Sequence, residues 1–275
     1  MDIFSRGEYR HILLKTAVLS LFLYGHLLVP GAVSAAEQQI VSAQPGIRAL
    51  QPGERLTYDI SWSRLLSAGT AVMEIKSETL PGGRPVLLFV VTGRSRGAVD
   101  KFFPVNDAVR SAFDPQIMES LSYSIRQSHG KKKMRREVVF DHPRRKAIST
   151  QNDDAPKTFD IPEQVQDALS SLYYLRTINE FTIGKVITVN VFDSNKNWSI
   201  EVLTLGRETV KTPAGEFAAI KVKTHPLYEG VFLNKGEVFI WLTDDNRKVP
   251  VLMKSTITIG SFIFSLTDLT PGHEK

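Results

Sequence analysis

Apolar and polar residues begin to alternate near position 56 and keep doing so along most of the chain. Leu56, Tyr58, Ile60 and Trp62 alternate with Thr57, Asp59 and Ser61, and Ala71, Met73 and Ile75 alternate with Val72, Glu74 and Lys76. A period of two marks a strand with one buried face. Val86 to Val91 is apolar throughout, as a strand covered on both faces would be. Leu121, Tyr123 and Ile125 resume the alternation. Further strand-like runs occupy about 135–141, 145–150, 184–193, 198–205, 217–224, 236–243, 248–258 and 261–268.

Turn residues separate these runs: Pro81-Gly82-Gly83, Asp141-His142-Pro143, Pro213-Ala214-Gly215 and Asp244-Asp245-Asn246. Short strands at this spacing predict a mainly β fold, an antiparallel curved sheet, sandwich or barrel-like structure. One helix interrupts them. Asp160-Ile161-Pro162-Glu163 offers a cap, an early proline and a capping-box glutamate, and Val165, Ala168, Leu169, Leu172 and Tyr173 follow at helical spacing. The pattern predicts a central amphipathic helix over about 161–178, packed on the sheet.

The amino terminus has a different character. Arg6, Arg10 and Lys15 precede an apolar stretch from Ala17 to Val29, followed by Pro30-Gly31 and the small residues Ala32-Val33-Ser34-Ala35-Ala36. That order describes a secretory signal over 1–35, with Val33 and Ala35 at the −3 and −1 positions. A membrane anchor is the alternative, but Gly25-His26 breaks the stretch short of the ~18–20 residues a span needs. Residues 36–50 read as a flexible lead and 51–270 as a single β-rich domain. The expected location is the periplasm or the exterior.

Composition narrows the chemistry. The chain of 275 residues contains no cysteine, which removes disulfides, thiolate metal sites and cysteine nucleophiles. It also removes a lipid-modified cysteine, so a lipoprotein is not expected. The formal charge is +5, and removing residues 1–35, with three Lys/Arg and two Asp/Glu, leaves +4. So small a surplus does not imply a nucleic-acid partner.

Several phrases, taken in order, resemble a bacterial family. They are Pro52-Gly53-Glu54-Arg55-Leu56-Thr57-Tyr58 with Gly69 after it, Asp167-Ala168-Leu169-Ser170-Ser171-Leu172-Tyr173-Tyr174-Leu175-Arg176, Thr212-Pro213-Ala214-Gly215-Glu216-Phe217, Ile240-Trp241-Leu242-Thr243-Asp244-Asp245 and Arg247-Lys248-Val249-Pro250-Val251. Together they resemble the exported family known as domain of unknown function 3108, over roughly 50–270. The resemblance implies an envelope protein and carries no assigned activity.

Candidate chemistry is sparse. Gly93-Arg94-Ser95-Arg96-Gly97 fits a nucleophile elbow, which would suit a hydrolase of envelope polymers, yet the residues after it lack the pattern of the required helix. His129, His142, His225 and His273 show no metal-ligand spacing, and Asp244-Asp245 reads as a turn. No cofactor motif or metal site is expected.

Two groups of residues stand out as binding candidates. Lys131, Lys132, Lys133, Arg135 and Arg136, with Arg144, Arg145 and Lys146 beyond the next turn, could pair across a hairpin into one cationic edge for lipid phosphates or lipopolysaccharide. The plainer reading is a solvated edge protected by charge. Tyr173, Tyr174 and Arg176, with Trp241, are candidate ligand contacts. Core packing of Tyr173 and a structural ion pair for Arg176 are the alternatives. The sequence thus favours a non-enzymatic periplasmic protein that binds a lipid or other apolar envelope component. The alternative is an assembly factor that binds other envelope proteins.

Overall fold

The structure, a computed structural model, describes residues 46–63, 66–228, 231–232, 237–257 and 260–273. The leader and most of the polar lead therefore lie outside the described residues. The alternating runs become strands. In chain order these are β1 (Arg55–Trp62), β2 (Leu66–Thr79), β3 (Pro85–Ser95), β4 (Val105–Asp114), β5 (Glu119–His129), β6 (Lys132–Asp141), β7 (Lys146–Gln151), β8 (Lys157–Asp160) and β9 (Val165–Gln166). They continue as β10 (Val186–Asp193), β11 (Lys196–Thr212), β12 (Gly215–Tyr228), β13 (Val231–Phe232), β14 (Glu237–Thr243), β15 (Pro250–Ile257) and β16 (Gly260–Thr270). Helices α1 (Gly97–Phe102) and α2 (Ser170–Arg176) interrupt the series.

All sixteen strands belong to one sheet, ordered β8-β7-β6-β5-β4-β3-β2-β1-β16-β15-β14-β12-β11-β10-β9, with β13 added beside β12. Pairing is antiparallel except between β9 and β10. The chain connectivity shows that this sheet must curl. β8 and β9 stand at opposite ends of the path, yet only residues 161–164 join them. Laid flat, fifteen strands would span about 67 Å. The five peptide links from Asp160 to Val165 reach about 18 Å at most. The two ends therefore face each other across a seam.

Side chains, rather than a ladder, bind that seam. Asn197 donates its amide to the Asp160 carbonyl (2.8 Å), and Asn190 donates to the Glu163 carbonyl (3.1 Å). Gln166 donates to the Met118 carbonyl (2.7 Å), tying β9 to the turn before β5. The result is a curved, non-closed, barrel-like sheet, in agreement with the periodicity. Leu56, Tyr58, Ile60, Ala71, Met73, Ile75, Tyr123 and Ile125 all point into the core. Val86 to Phe89 are buried without a break, as expected for a strand covered on both faces.

The helix corrects its sequence reading of 161–178, for α2 covers only Ser170–Arg176. Asp160 and Glu163 do not cap it. Asp160 pairs with Lys146 (2.5 Å) and Glu163 with Arg145, both at the turn between β6 and β7, while Val165 is buried in the seam. Asp167 caps the first turn instead. Its Oδ1 accepts the backbone N–H groups of Leu169 (2.7 Å) and Ser170 (2.9 Å), and its Oδ2 accepts the hydroxyls of Ser111 and Ser120 (2.5 Å each). One carboxylate thereby fastens the helix to β4 and β5.

Burial raises the Asp167 carboxyl above its ordinary pKa, against the opposing effect of those four hydrogen bonds. An acid raised in the folded state holds its proton more tightly when folded. Stability therefore falls as pH climbs from the unfolded value of about 3.9 through the folded one. Asp167→Asn keeps the two backbone acceptor contacts and carries no charge to bury. It should unfold at a higher urea concentration than the wild type at neutral pH, with a flatter pH profile above pH ~4. Asp167→Ala should lose about 1–2 kcal/mol with the cap. A wild-type profile that rises over this range would contradict the assignment.

Gly69, part of the family phrases, is needed for a close approach of backbones. It pairs with Ile60 on one side and Ser95 on the other, next to a bulge in the β1–β2 ladder. A β-carbon here would press into the Arg94 carbonyl. Gly69→Ala should cost about 1–3 kcal/mol in urea unfolding, since the obstacle is backbone that cannot rotate away.

Candidate functional site

Three of the four candidate ligand contacts lie on α2, and two of those belong to the core. Arg176 and Tyr173 are 1% and 0% exposed, so neither side chain has a free face. Arg176 forms a two-pronged pair with Glu54, which immediately precedes β1: Nη1 to Oε1 and Nη2 to Oε2 are both 2.7 Å. Nη2 also donates to the Ala49 carbonyl (3.1 Å) and Nε to the Arg247 carbonyl (3.2 Å). Burial acts to lower the guanidinium pKa, but the charge and hydrogen bonds of Glu54 leave it raised. The structural ion pair is thus the arrangement that forms. It ties together the start of the β-rich region, the helix and the β14–β15 turn.

Tyr173 stacks on Phe89 with centroids 3.8 Å apart and planes 9° from parallel, and the Arg176 guanidinium lies 5.4 Å from its ring. Its hydroxyl has no hydrogen-bond partner among the described residues. Burial raises its phenol well above the ordinary value. Tyr174 points elsewhere and packs against a small cluster of Val189, Val191 and Trp198.

Trp241 is not brought to this group. It stands opposite Lys221 in the β12–β14 ladder, on the face away from the core residues Ile220 and Val222, and is itself only 8% exposed. There it donates to Glu208 (2.5 Å) and lies beneath the Lys221 ammonium, 5.0 Å from the ring centre. The four candidates therefore divide between the inside and the outside of the sheet.

The cations divide as well, which corrects the expectation of one edge. The turn between β6 and β7 pairs Asp141 with Lys146, whereas Lys132 pairs with His129 at the far end of β6. Nine residue steps along a strand separate the two groups by roughly 30 Å. At the Asp141 end the charges are paired: Arg144 with Asp141 (2.7 Å), Arg145 with Glu163 and Lys146 with Asp160. Midway, Arg136 bonds Gln151 (2.8 Å) and Ser194 (3.2 Å), and Arg135 donates to Asn152. Lys131, Lys132 and Lys133, at the other end, form no ion pair among the described residues.

The remaining chemistry is structural. Ser95 ends β3 just ahead of α1, but its hydroxyl donates to Asp100 (2.6 Å) and accepts the Val105 N–H (2.8 Å). It also lies 3.4 Å from the Val105 carbonyl, so its contacts are those of a turn. His129 bonds the buried Asp107 (2.9 Å), while His142 bonds Glu119 (3.0 Å) and the Ser120 carbonyl (2.6 Å). Asp245 accepts the Thr243 hydroxyl and the Arg247 and Lys248 N–H groups, as a turn residue does. Among the described residues no cluster of three or more His, Asp or Glu side chains could hold a metal ion. Asp167 and Glu54, the two carboxylates that organise the interior, were not singled out by periodicity. The signals available were an aspartate three residues before Ser170 and a glutamate inside the first family phrase.

A family model described as "Protein of unknown function (DUF3108)" matches residues 57–267. No curated protein matches the chain. Among solved structures, the chain is similar to a β-barrel-like protein of domain of unknown function DUF1849 from Brucella abortus. The TM-score is 0.58 and the identity 12%, with 82% of this chain and 99% of that one covered. A Bacteroides fragilis protein described as exported, with a YmcC-like fold, matches at 14% identity and TM-score 0.33 over 80% of this chain and 97% of its own. A Parabacteroides distasonis protein described as a lipoprotein matches at 12% and 0.32 over 80% and 96%. At these identities the likeness is one of fold, and it rests on the Brucella protein.

Proposed function

The chain belongs to the DUF3108 family, and on that premise we propose that it is an exported, non-enzymatic protein of the bacterial cell envelope that binds a lipid or other apolar envelope component at its surface. The observation that carries this reading is the use made of polar groups inside the sheet. Arg176, Glu54, Asp167, Ser111 and Ser120 bond one another or the backbone, and Tyr173 is stacked on Phe89. A ligand seated on Tyr173 or Arg176 would have to displace those partners, so binding falls to the outer surface. The leader pattern of residues 1–35 and the absence of cysteine support a soluble periplasmic or secreted form, with 51–270 as its one domain.

An envelope assembly factor is favoured by a different feature. Val139 and Ile148 sit side by side on the outer face of β6 and β7, 54% and 39% exposed, as an apolar pair open to solvent. Exposed apolar surface of this kind is where a partner protein docks.

The test is native mass spectrometry of the protein recovered from the periplasm, followed by solvent extraction and lipid analysis. The expected result is a mature chain beginning at Ala36 that carries an amphiphile above the background of an unrelated periplasmic protein. Retention in the cytoplasm would overturn the export reading. A bare chain with a stoichiometric protein partner would replace it with the assembly factor.

A further inference from the structure

The bare lysines at the β5–β6 turn have an apolar neighbour. The Gly130 N–H donates to the Pro104 carbonyl (2.8 Å), and the Phe103 and His129 rings lie 6.4 Å apart. These contacts hold the carboxyl end of α1 against the turn, so that Lys101 and Phe102 stand beside Lys131, Lys132 and Lys133. Phe102 is 77% exposed, more than any other large apolar residue among those described. Leu66, 39% exposed, opens β2 at the same end of the sheet. None of the four lysines has a carboxylate within ion-pair reach among the described residues. Of the acids on this side, Asp100 stands next to Lys101 in α1 and accepts the Ser95 hydroxyl (2.6 Å), and Asp153 and Asp154 sit on the β7–β8 turn beyond Arg135.

We propose that this end of the sheet docks on the surface of a bilayer containing anionic phospholipid, with Phe102 entering the interface and Lys101, Lys131, Lys132 and Lys133 meeting the phosphates. A protruding aromatic ring next to a turn of unpaired lysines matches that boundary on both counts. The ring gains burial at the headgroup level, and each cation meets a diffuse negative field without needing a matched partner. An acidic protein would satisfy the lysines but leave Phe102 without a role. The paired cations at the opposite end of β6 take no part. The proposal deepens the envelope-binding reading, on which it rests, by assigning the contact surface.

The full chain, expressed with its own leader and purified, should sediment with phosphatidylcholine vesicles carrying about 30% phosphatidylglycerol, and not with phosphatidylcholine alone. Binding should be lost on raising NaCl from about 50 to about 500 mM. Each surface cation contributes about fivefold, so Lys131→Gln, Lys132→Gln and Lys133→Gln together should weaken partitioning roughly a hundredfold. Arg144→Gln with Arg145→Gln should leave it unchanged. Phe102→Trp should show blue-shifted emission on the anionic vesicles, and Phe102→Ser should weaken binding with the circular dichroism spectrum retained. Equal binding to both vesicle types, an indifferent triple variant, or unshifted Phe102→Trp emission on bound vesicles would each overturn the proposal. An amphiphile found on the protein by mass spectrometry would in that case keep the broader reading and move its site elsewhere.

Discussion

Arg176→Met should cost about 3–5 kcal/mol, because it leaves the Glu54 carboxylate buried without its counter-charge. Glu54 is 2% exposed, and both of its oxygens face the guanidinium, so water cannot reach in to compensate. The double replacement with Glu54→Met should be less damaging than the sum, since it removes the stranded charge as well. It should not restore wild-type stability, because the Ala49 and Arg247 carbonyls still lose their donor, at about 1 kcal/mol each. A double-mutant cycle read by urea unfolding should return a coupling of about 2–3 kcal/mol. Additive losses would show that the two groups are stabilised separately by solvent. The consequence reaches beyond stability, because this pair holds the helix to the segment that leads into β1.

Tyr173 calls for a pair of opposite outcomes. Tyr173→Ala removes a fully buried ring that stacks on Phe89, and should cost about 3–5 kcal/mol through lost burial and the cavity left behind. Tyr173→Phe keeps the ring and deletes a buried hydroxyl with no hydrogen-bond partner among the described residues. It should be neutral or stabilising by up to about 1 kcal/mol, because an unpaired polar group no longer has to be desolvated. The same variant should bind envelope components as the wild type does. Loss of binding in Tyr173→Phe with stability intact would return Tyr173 to the list of ligand contacts.

These residues also show where the sequence was readable. Alternation placed Leu56, Tyr58, Ile60, Ala71, Met73 and Ile75 on the buried face, because a period of two is a property of each strand and needs no knowledge of its partners. Pro213-Ala214-Gly215 was legible as a turn for the same local reason, and it closes the β11–β12 hairpin with Thr212 opposite Gly215. The length of that hairpin was not legible. Gly206-Arg207-Glu208-Thr209 carries no apolar alternation, and the ladder to Ile220 and Ala219 alone makes it strand.

The helix shows the same division. In the sequence Asp160 reads as the cap, because its proline and glutamate complete a local signature. Tertiary partners reversed it. Lys146 and Arg145 claimed Asp160 and Glu163, while Ser111 and Ser120, some fifty residues away, anchored Asp167. The eight cations likewise read as one cluster in sequence and became two. The hairpin turns at 142–145, so paired residues run in opposite directions from it and the groups end up a strand's length apart.

By itself, then, the sequence determined the class of the fold, the facing of its strands, the family and the leader pattern, all of which depend on near neighbours along the chain. Only the tertiary structure decided that the sheet curls until β8 and β9 meet at a seam, and that Arg176 belongs to Glu54. It also decided which lysines stay bare beside Phe102. Each of these depends on groups far apart in sequence, whose energies are set by burial and by which partner is within reach.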